Sequence, residues 1–275
     1  TSNQLPANNE ASHRPTPLKP PRNGYIIWGR HAVYAALRNN ERRVAQIYVA
    51  HHDGESDLQL FLSRLPLERR NELPPIQWIE RKRLDAVAGP YNKAVHQGIA
   101  AAVWPVQPPH LDSFLELYQG APVRLLLLDR VSDPRNVGAI LRAAAVFGVA
   151  GIIVTRHHSP RAEGALAKTT SGALEIVPIV AVANLARTLS MLADAGFLVL
   201  GLDEHGSRTI DQIDTNQPLA CVMGAEGKGL RRLTRETCKE LVRLPAGEAS
   251  ADKLNEFATL NVATAAAITL YALTR

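Results

Sequence analysis

The stretch VRLLLLD at 123–129 is the most hydrophobic strand candidate in the chain, and DPRNVGAILRAAAVFG at 133–148 follows it closely. An unbroken apolar run bounded by polar residues is typical of a strand that is buried on both faces, as in a parallel sheet. In the second stretch Asn136 is a good N-cap and Gly148 a good C′ residue, so we expect a helix over 137–147. A buried strand followed by a helix indicates an α/β fold.

Arg142 is the only charged residue of that expected helix. The residues three and four positions away from it are mostly small: Gly138, Ala139, Ala145 and Val146. One interpretation is a helix packed on a sheet, with the arginine reaching solvent at its edge. The other is a face of small residues that leaves room for an anion beside the guanidinium.

The composition limits the class of protein. The chain has 275 residues, of which 46% are hydrophobic and 21% charged, and a net charge of +5 at pH 7. These values predict a soluble globular protein of one or two domains, and the positive charge suits a polyanionic partner. Cys221 and Cys238 lack CxxC spacing, so we expect reduced core thiols in a cytoplasmic protein without a metal ion. No apolar run suggests a signal peptide or a membrane span.

Changes in composition divide the chain into four parts. Residues 1–23 are rich in Pro, Asn and Ser, so we expect a disordered tail there. Strand and helix patterns alternate over 24–104, which predicts a small α/β domain. A proline-rich linker and a short helix occupy 105–121, and a second alternating series over 122–275 predicts the larger domain.

The second series contains six expected strands and four expected helices. The strands are VRLLLL, GIIVT, EIVPIV, FLVLGLD, LACVMG and LVRLP, and the helices cover 137–147, 183–195, 230–240 and 262–273. Most of these strands are apolar throughout, so we predict a mostly parallel sheet with helices on both faces. Ligands of such sheets bind beyond the carboxyl ends of the strands, which makes the loops after those ends informative.

The loop GAEGKGL at 224–230 follows one of these strands. It lacks the spacing of a Walker A loop and of a GxGxxG fingerprint, which disfavours an ATPase or a nucleotide-dependent dehydrogenase. Its glycines allow either a plain tight turn or a close approach of the backbone to a ligand. Behind it, Arg231, Arg235 and Lys239 are spaced by four on the expected helix, so they form either a solvated stripe or a phosphate contact.

The last segment, TLNVATAAAITLYAL at 259–273, begins with a natural N-cap at Asn261. The helix that follows is small or apolar on nearly all sides, so we expect it to be buried.

Three stretches, DPRNVGAILRAAAVFG, VMGAEGKGL and LP…TLNVATAAAI, resemble in this order motifs 1, 2 and 3 of the SpoU (TrmH-type) RNA 2′-O-ribose methyltransferases. That family belongs to the SPOUT class, which has a deep C-terminal trefoil knot. The resemblance covers about 123–275. The segment 25–104, with GRHAVYAAL after its first strand, resembles the ribosomal-protein-like substrate-binding domain of the same family. The run MGAEGKGLRRLTRETC is most similar to enzymes that methylate a guanosine of 23S ribosomal RNA.

The resemblance implies an S-adenosylmethionine site, an RNA substrate and a homodimer formed through the knotted domain. The implied catalytic residues are Asn136, Arg142, Glu226, Thr259 and Asn261. The implied cofactor-binding residues are Leu202, Gly224, Gly227, Leu244 and Leu260. The RNA-binding candidates are Arg135, Lys228, Arg231 and Arg235.

Two roles are open for Arg142. The family proposal makes it the base that deprotonates the ribose hydroxyl. A guanidinium keeps its proton in almost any protein setting, so the alternative is that Arg142 binds the adjacent phosphate and stabilises the developing oxyanion. Glu226 and Asn261 would then orient Arg142 or the ribose.

The sequence also departs from the family pattern near motif 3. The connector over 246–260 is longer than usual, Ala246 replaces a common methionine, and Thr259 and Ala263 replace common serines. Because this connector borders the implied cofactor site, the departures bear on cofactor affinity. Two alternatives therefore remain: a non-catalytic RNA-binding or ribosome-assembly factor with the same fold, and a tRNA 2′-O-methyltransferase.

Overall fold

A computed structural model describes residues 18–51, 55–86, 95–118, 121–157, 166, 169–170, 172–245 and 260–274. These residues form two β-sheets, one in each half of the chain. We call the first sheet and its helices the N-terminal lobe, and the second sheet and its helices the C-terminal lobe. Most of the expected tail, residues 1–17, lies outside the described residues, but Leu18 is buried against the first sheet. The described structure therefore begins inside the expected tail, at a buried residue.

The N-terminal lobe has a four-stranded sheet in the order β1-β4-β2-β3, in which only β2 and β3 run parallel. Its elements are β1 Tyr25–Trp28, α1 Arg30–Arg38, β2 Val44–Ala50, α2 Glu55–Ser63, α3 Leu67–Glu72, β3 Ile76–Ile79, α4 Arg81–Asp85 and β4 Ile99–Val103. The alternation of strands and helices was expected, but α3 was not, because its sequence LERRNE carries too few apolar residues to show a helical period.

The C-terminal lobe has a seven-stranded sheet in the order β7-β6-β5-β10-β8-β11-β9, and every pairing in it is parallel. Its elements are α5 Leu111–Glu116, β5 Arg124–Asp129, α6 Pro134–Val146, β6 Gly151–Thr155, β7 Ile179–Val182, α7 Leu185–Asp194, β8 Leu198–Leu202, β9 Arg208–Thr209, β10 Leu219–Gly224, α8 Arg232–Thr237, β11 Glu240–Arg243 and α9 Val262–Leu273. The six expected strands are confirmed, and the mostly parallel sheet with them.

Strand β5 lies in the interior of this sheet, between β6 and β10, and explains why helices cover both faces. Leu126 and Leu128 pack into the core beneath α6 and α9, whereas Leu125 and Leu127 pack into the core beneath α5 and α7. All four side chains are at most 1% exposed. An unbroken apolar strand is therefore required at this position.

The ends of three elements differ from expectation. Helix α6 begins earlier, because Asp133 and not Asn136 is its N-cap: the Asp133 side chain accepts from the amide of Arg135, and Pro134 fills the first helical position. Gly148 does follow the helix with a left-handed φ of +65°. Strand β7 begins only at Ile179, since a 3₁₀ turn, Ala173–Glu175, and Pro178 occupy part of the expected strand.

Helix α8 is also shorter than the expected 230–240. Arg231 is its N-cap residue and Lys239 lies beyond its end, so the three basic residues spaced by four do not share one helical stripe. None of the helices that the structure describes has the length and apolar character needed to cross a membrane.

Candidate active site

Three side chains from distant parts of the chain meet above the C-terminal lobe's sheet. The Nδ2 atom of Asn136 donates to Oε1 of Glu226 at 3.2 Å. The Nδ2 atom of Asn261 donates to Oδ1 of Asn136 at 3.1 Å and to the same Glu226 oxygen at 2.5 Å. We call Asn136, Glu226 and Asn261 the motif cluster, because each comes from a different one of the three motifs.

The local structure explains how each member reaches the cluster. Since Asp133 caps α6, the Asn136 side chain is free of that role and turns toward Glu226. Asn261 is the N-cap of α9, as expected, and its Oδ1 accepts from the amide of Ala263 at 2.9 Å. Glu226 also accepts from the amide of Val262 at 3.3 Å, so its negative charge lies at the N-terminus of a long helix, where it is favoured.

The glycine-rich loop after β10 is a tight turn that presents Glu226. Ala225 and Gly229 form an isolated antiparallel bridge, and the amide of Gly229 donates to the carbonyl of Ala225 at 2.9 Å. A Cβ on Gly224 would lie 2.2 Å from the carbonyl carbon of Gly229, so only glycine fits there. Gly227 has a φ of +71° and open space around it. The turn and the site, which the sequence left as alternatives, thus coincide.

The expected cofactor residues lie around the same sheet edge. Leu202 ends β8, Gly224 ends the neighbouring β10, and Leu244 follows β11 on the other side of β8. Both leucines are half-buried and pack against the core beneath α6 and α9. Leu260, next to Asn261, is 52% exposed. Thr259 and the lengthened connector from 246 to 259 lie outside the described residues.

Arg142 does not join the motif cluster. It lies six residues after Asn136, which at about 100° per residue places it on a different face of α6. It is exposed, in a stripe with Arg135, Ala139 and Val146, and its side chain makes no hydrogen bond or ion pair with any residue that the structure describes.

Two of the four RNA-binding candidates are engaged in the protein. Arg231 donates from Nε to Oδ1 of Asp129 at 2.6 Å and from its backbone amide to Oδ2 at 3.1 Å. Arg235 forms an ion pair with Asp203. The two aspartate side chains are 0% and 4% exposed, and the arginine side chains 40% and 43%. Both pairs therefore hold buried carboxylates at strand ends.

Sequence reasoning gave Asp129 and Asp203 no role. Each stands directly at the end of an apolar strand, VRLLLLD and FLVLGLD, and that pattern is the signal that could have identified them. A buried carboxylate needs a cation or donors close by, so each also predicts a partner from a later segment.

The remaining candidates for chemistry are accounted for. Burial raises the pKa of both cysteine thiols to about 12, with a further contribution from Cys238 at Cys221 and from Asp129 at Cys238, so neither is an activated nucleophile. Over the described ranges, no group of three or more His, Cys, Asp or Glu residues could hold a metal ion. Arg135 and Lys228 are both exposed, and Arg135 forms an ion pair with its neighbour Asp133.

Comparison with known proteins identifies the family. Residues 124–271 match the SpoU rRNA Methylase family, and residues 26–109 match the family described as RNA 2′-O ribose methyltransferase substrate binding. The chain is 39% identical over 258 residues to the 23S rRNA (guanosine-2′-O-)-methyltransferase RlmB of Pseudomonas aeruginosa, covering 90% of this chain and 95% of that one. It is 35% identical over 247 residues to the protein of the same name from Bordetella pertussis, again covering 90% and 95%.

Solved structures share the fold. The SpoU methyltransferase AviRb from Streptomyces viridochromogenes superposes with a TM-score of 0.71 at 21% identity, covering 92% of this chain and 89% of that one. Its complex with the cofactor AdoMet gives a TM-score of 0.68 at 23% identity, covering 92% and 90%. The family match spans more than half of this chain and agrees with the three convergent motifs. The chain therefore belongs to the SpoU rRNA methylase family.

Proposed function

We propose that this protein transfers the methyl group of S-adenosylmethionine to the 2′-hydroxyl of a guanosine in 23S ribosomal RNA. The observation that carries the proposal is the motif cluster, in which residues separated by up to 125 positions bind one carboxylate oxygen. The names of the Pseudomonas and Bordetella relatives support the substrate, since this chain spans nearly their whole length. Such an enzyme works on ribosomes in the cytoplasm, which agrees with Cys221 and Cys238 being free thiols.

The residues around the sheet edge fit S-adenosylmethionine. Half-buried Leu202 and Leu244 offer an apolar surface for a flat base, and Gly224 and Gly227 offer backbone groups that no side chain shields. Leu260 would close the side next to Asn261. The cofactor, when bound, supplies an electrophilic methyl group. The chain's own contribution is to hold the ribose hydroxyl in line, and positioning of this kind supplies roughly 7–11 kcal/mol of barrier reduction.

Within the motif cluster, Glu226 is best placed to act on the hydroxyl. All three of its described hydrogen bonds use Oε1, which leaves Oε2 without a partner among the described residues. We assign Oε2 to accept the hydrogen bond of the ribose 2′-hydroxyl, to orient it and to take its proton as the methyl group is transferred. Asn136 and Asn261 fix the carboxylate, and Thr259 would stand beside them.

We assign Arg142 to the phosphate next to the target ribose and to the developing oxyanion at the motif cluster of a second copy, since it lies on a different face of α6 from Asn136 of its own chain. Its guanidinium is not committed to any described residue, whereas those of Arg231 and Arg235 are. Arg135 and Lys228 are assigned to the RNA backbone on grounds of exposure and charge. The solvent-exposed parts of the Arg231 and Arg235 side chains would give weaker contacts with the RNA backbone.

A homodimer would complete the proposed RNA-binding surface. Val146 on α6 is 78% exposed, and Ile268 and Tyr271 on the adjoining α9 are 41% and 46% exposed. Together they form an apolar face whose helices are joined by an edge-on contact between Phe147 and Tyr271. Arg142 lies in the same stripe as Val146, so pairing of two copies through this face would bring the partner's surface next to Arg142.

The domain boundaries and the knot belong to the same proposal. We assign 24–104 to RNA binding, 105–121 to the connection and 122–275 to methyl transfer. In support of a knot, β11 lies between β8 and β9, which are consecutive in the chain. The segment joining them crosses the end of β11 so closely that a Cβ on Gly206 would lie 2.5 Å from the carbonyl carbon of Val242.

The proposal is tested with tritiated S-adenosylmethionine and 23S rRNA from a strain that lacks the gene. We expect label on the 2′-oxygen of one guanosine, and calorimetric heat when the cofactor is added to the protein alone. A folded protein that binds rRNA but gives no heat with the cofactor would instead be the non-catalytic assembly factor. Label on tRNA but not on 23S rRNA would make it a tRNA methyltransferase.

A further inference from the structure

A short segment of the C-terminal lobe, residues 172–175, is packed against helix α1 of the N-terminal lobe. A Cβ on Gly172 would lie 2.8 Å from Cβ of Ala35 and 3.0 Å from the carbonyl oxygen of His31. Leu174 packs against the hydrophobic cores of both lobes. His31, Ala35 and Asn39 are spaced by four residues, so this segment runs along one face of α1. The two lobes are thus in direct contact, apart from the linker between them.

Glu175 fastens this contact through a buried ion pair. Arg42 of the N-terminal lobe donates from its terminal nitrogen to Oε1 of Glu175 at 2.6 Å and from Nε to Oε2 at 3.0 Å. Asn39 donates from Nδ2 to Oε2 at 2.9 Å. The side chains of Arg42 and Glu175 are only 3% and 6% exposed. A bidentate ion pair that is shielded from water fixes both the distance and the orientation of its partners.

Arg42 is itself anchored inside the N-terminal lobe. It donates to the hydroxyl of Tyr25 at 3.0 Å and to the carbonyl of Trp104 at 2.6 Å. Tyr25 begins the first strand of the lobe, and Trp104 follows the last one. Through Arg42, Glu175 is therefore connected to the first and the last strand of the N-terminal lobe.

Thr169, which lies just before this segment, contacts helix α6, the helix that carries Asn136. The Thr169 hydroxyl lies within hydrogen-bond distance of two carbonyls, that of Leu166 at 2.9 Å and that of Pro134, the first residue of α6, at 3.1 Å. A Cβ on Gly138 would lie 2.2 Å from the hydroxyl oxygen of Thr169. Asn136 of the motif cluster lies between Pro134 and Gly138. The same part of the chain thus touches α6 at one end and the N-terminal lobe at the other.

We propose that Glu175 is a positioning residue, which holds the N-terminal lobe at a fixed place relative to α6 so that RNA bound on that lobe presents its ribose to the motif cluster. This inference rests on the proposed function. Its physical basis is effective concentration: when two binding surfaces are held rigidly, engagement of the second becomes intramolecular. Releasing the lobe should weaken RNA binding without changing the chemistry at the cluster.

The first test is Glu175→Gln, which keeps the size of the side chain and removes its charge. We expect KM for rRNA to rise about tenfold, kcat to change less than about twofold, and cofactor affinity by calorimetry to stay the same. The matched control is Glu240→Gln, which alters an ion pair with Arg208 that is 2.9 Å long, more exposed and within one lobe. KM should be unchanged in this control.

A second variant guards against a folding defect, because Glu175→Gln leaves Arg42 buried without its counter-charge. Ala35→Leu adds bulk where α1 meets Gly172, and it touches neither the ion pair nor the motif cluster. It should raise KM in the same way. An unchanged KM in folded samples of both variants, or an equal rise in Glu240→Gln, would overturn the proposal.

A distance measurement separates this inference from the proposed function, because it needs no activity. Spin labels are placed at Leu67→Cys on α3 and Leu233→Cys on α8, where both leucines are exposed, and the labelled chain is diluted with unlabelled protein. The native thiols, with pKa values of about 12, react slowly. Glu175→Gln should broaden the distance distribution and Glu240→Gln should not. A distribution that stays narrow in Glu175→Gln refutes the positioning role, even if the enzyme is active.

Discussion

Two kinds of carboxylate lie at the same edge of the C-terminal lobe's sheet, and their partners differ. Asp129 and Asp203 are buried and each is paired with an arginine. Glu226 is exposed and is held by the neutral amides of Asn136 and Asn261 and by a helix N-terminus. The charge of the first kind is paired with an arginine inside the protein. The second kind has no cation partner among the described residues, and its Oε2 atom accepts no hydrogen bond from any of them.

The cations divide in the same way. Arg231 and Arg235 are committed to the buried aspartates, whereas Arg142 is exposed and bonded to no described residue. A charge that is matched within the fold stabilises the fold, and one that is left unmatched is available to a substrate. Substitutions in the first set should therefore change stability, and those in the second set should change activity.

The largest effect is expected for Glu226→Gln. It removes the charge that orients the ribose hydroxyl but preserves the shape of the loop, so kcat should fall about 10³-fold, within the range for loss of a positioned catalytic group. The melting temperature should stay within about 2 °C of wild type, as for an exposed substitution. Glu116→Gln, an exposed change on α5, is the control and should keep full activity. Equal activity of the two variants would remove Glu226 from the site.

Arg142→Ala should have the next largest effect on activity. Loss of one donor to a developing oxyanion costs about 10²-fold in kcat, and the exposed helix position should tolerate alanine without loss of stability. RNA affinity by filter binding should fall only slightly, since one phosphate contact among several is removed. A variant with normal turnover would mean that this uncommitted arginine has no part in transfer.

Arg231→Met should act on stability instead. It leaves the fully buried Asp129 carboxylate with the backbone amide of residue 231 as its one hydrogen-bond partner among the described residues. We expect a loss of about 2 kcal/mol in the free energy of unfolding by urea, less than for a fully buried pair because Arg231 is 40% exposed. Adding Asp129→Asn should restore most of this loss. If the double variant were less stable than the single one, the pair would not be the cause.

The smallest effect concerns the thiol of Cys238. Burial and then the charge of Asp129 raise its pKa to about 12 from the ordinary 9.0, so roughly one thiol in a thousand is ionised at pH 9. The pKa of this thiol is higher in the folded than in the unfolded protein. The neutral thiol therefore contributes fully to the free energy of unfolding below pH 9, and this contribution is lost as the pH rises toward 12. Asp129→Asn should speed alkylation of Cys238 at pH 9 a few-fold, measured by mass spectrometry. An unchanged rate would mean that Asp129 does not contribute to the raised pKa of the Cys238 thiol.

Much of the fold could be predicted, because its signals are local. Four leucines in β5, the N-cap of α9 and Gly148 after α6 each specify an element from neighbouring residues alone. The N-cap of α6 was misplaced because Asn136 and Asp133 are both good caps, and Pro134 decides in favour of Asp133. Strand β9 was missed because two residues carry no period.

The site was less predictable, because its partners come from distant segments. Nothing near Asp129 in the sequence indicates Arg231, and nothing near Glu175 indicates Arg42. Family resemblance grouped Asn136, Glu226 and Asn261, and the structure brings these three together. The same resemblance grouped Arg142 with them, whereas helical geometry places it on another face of α6.

The central claim is that the motif cluster acts as one unit on the ribose, and a double-mutant cycle tests it most directly. Turnover is measured for wild type, Glu226→Gln, Asn261→Ala and the double variant under saturating cofactor and rRNA. If Asn261 works by holding Glu226, the double variant should be hardly slower than Glu226→Gln alone. Losses that multiply in the double variant would contradict the account, because the two residues would then contribute independently.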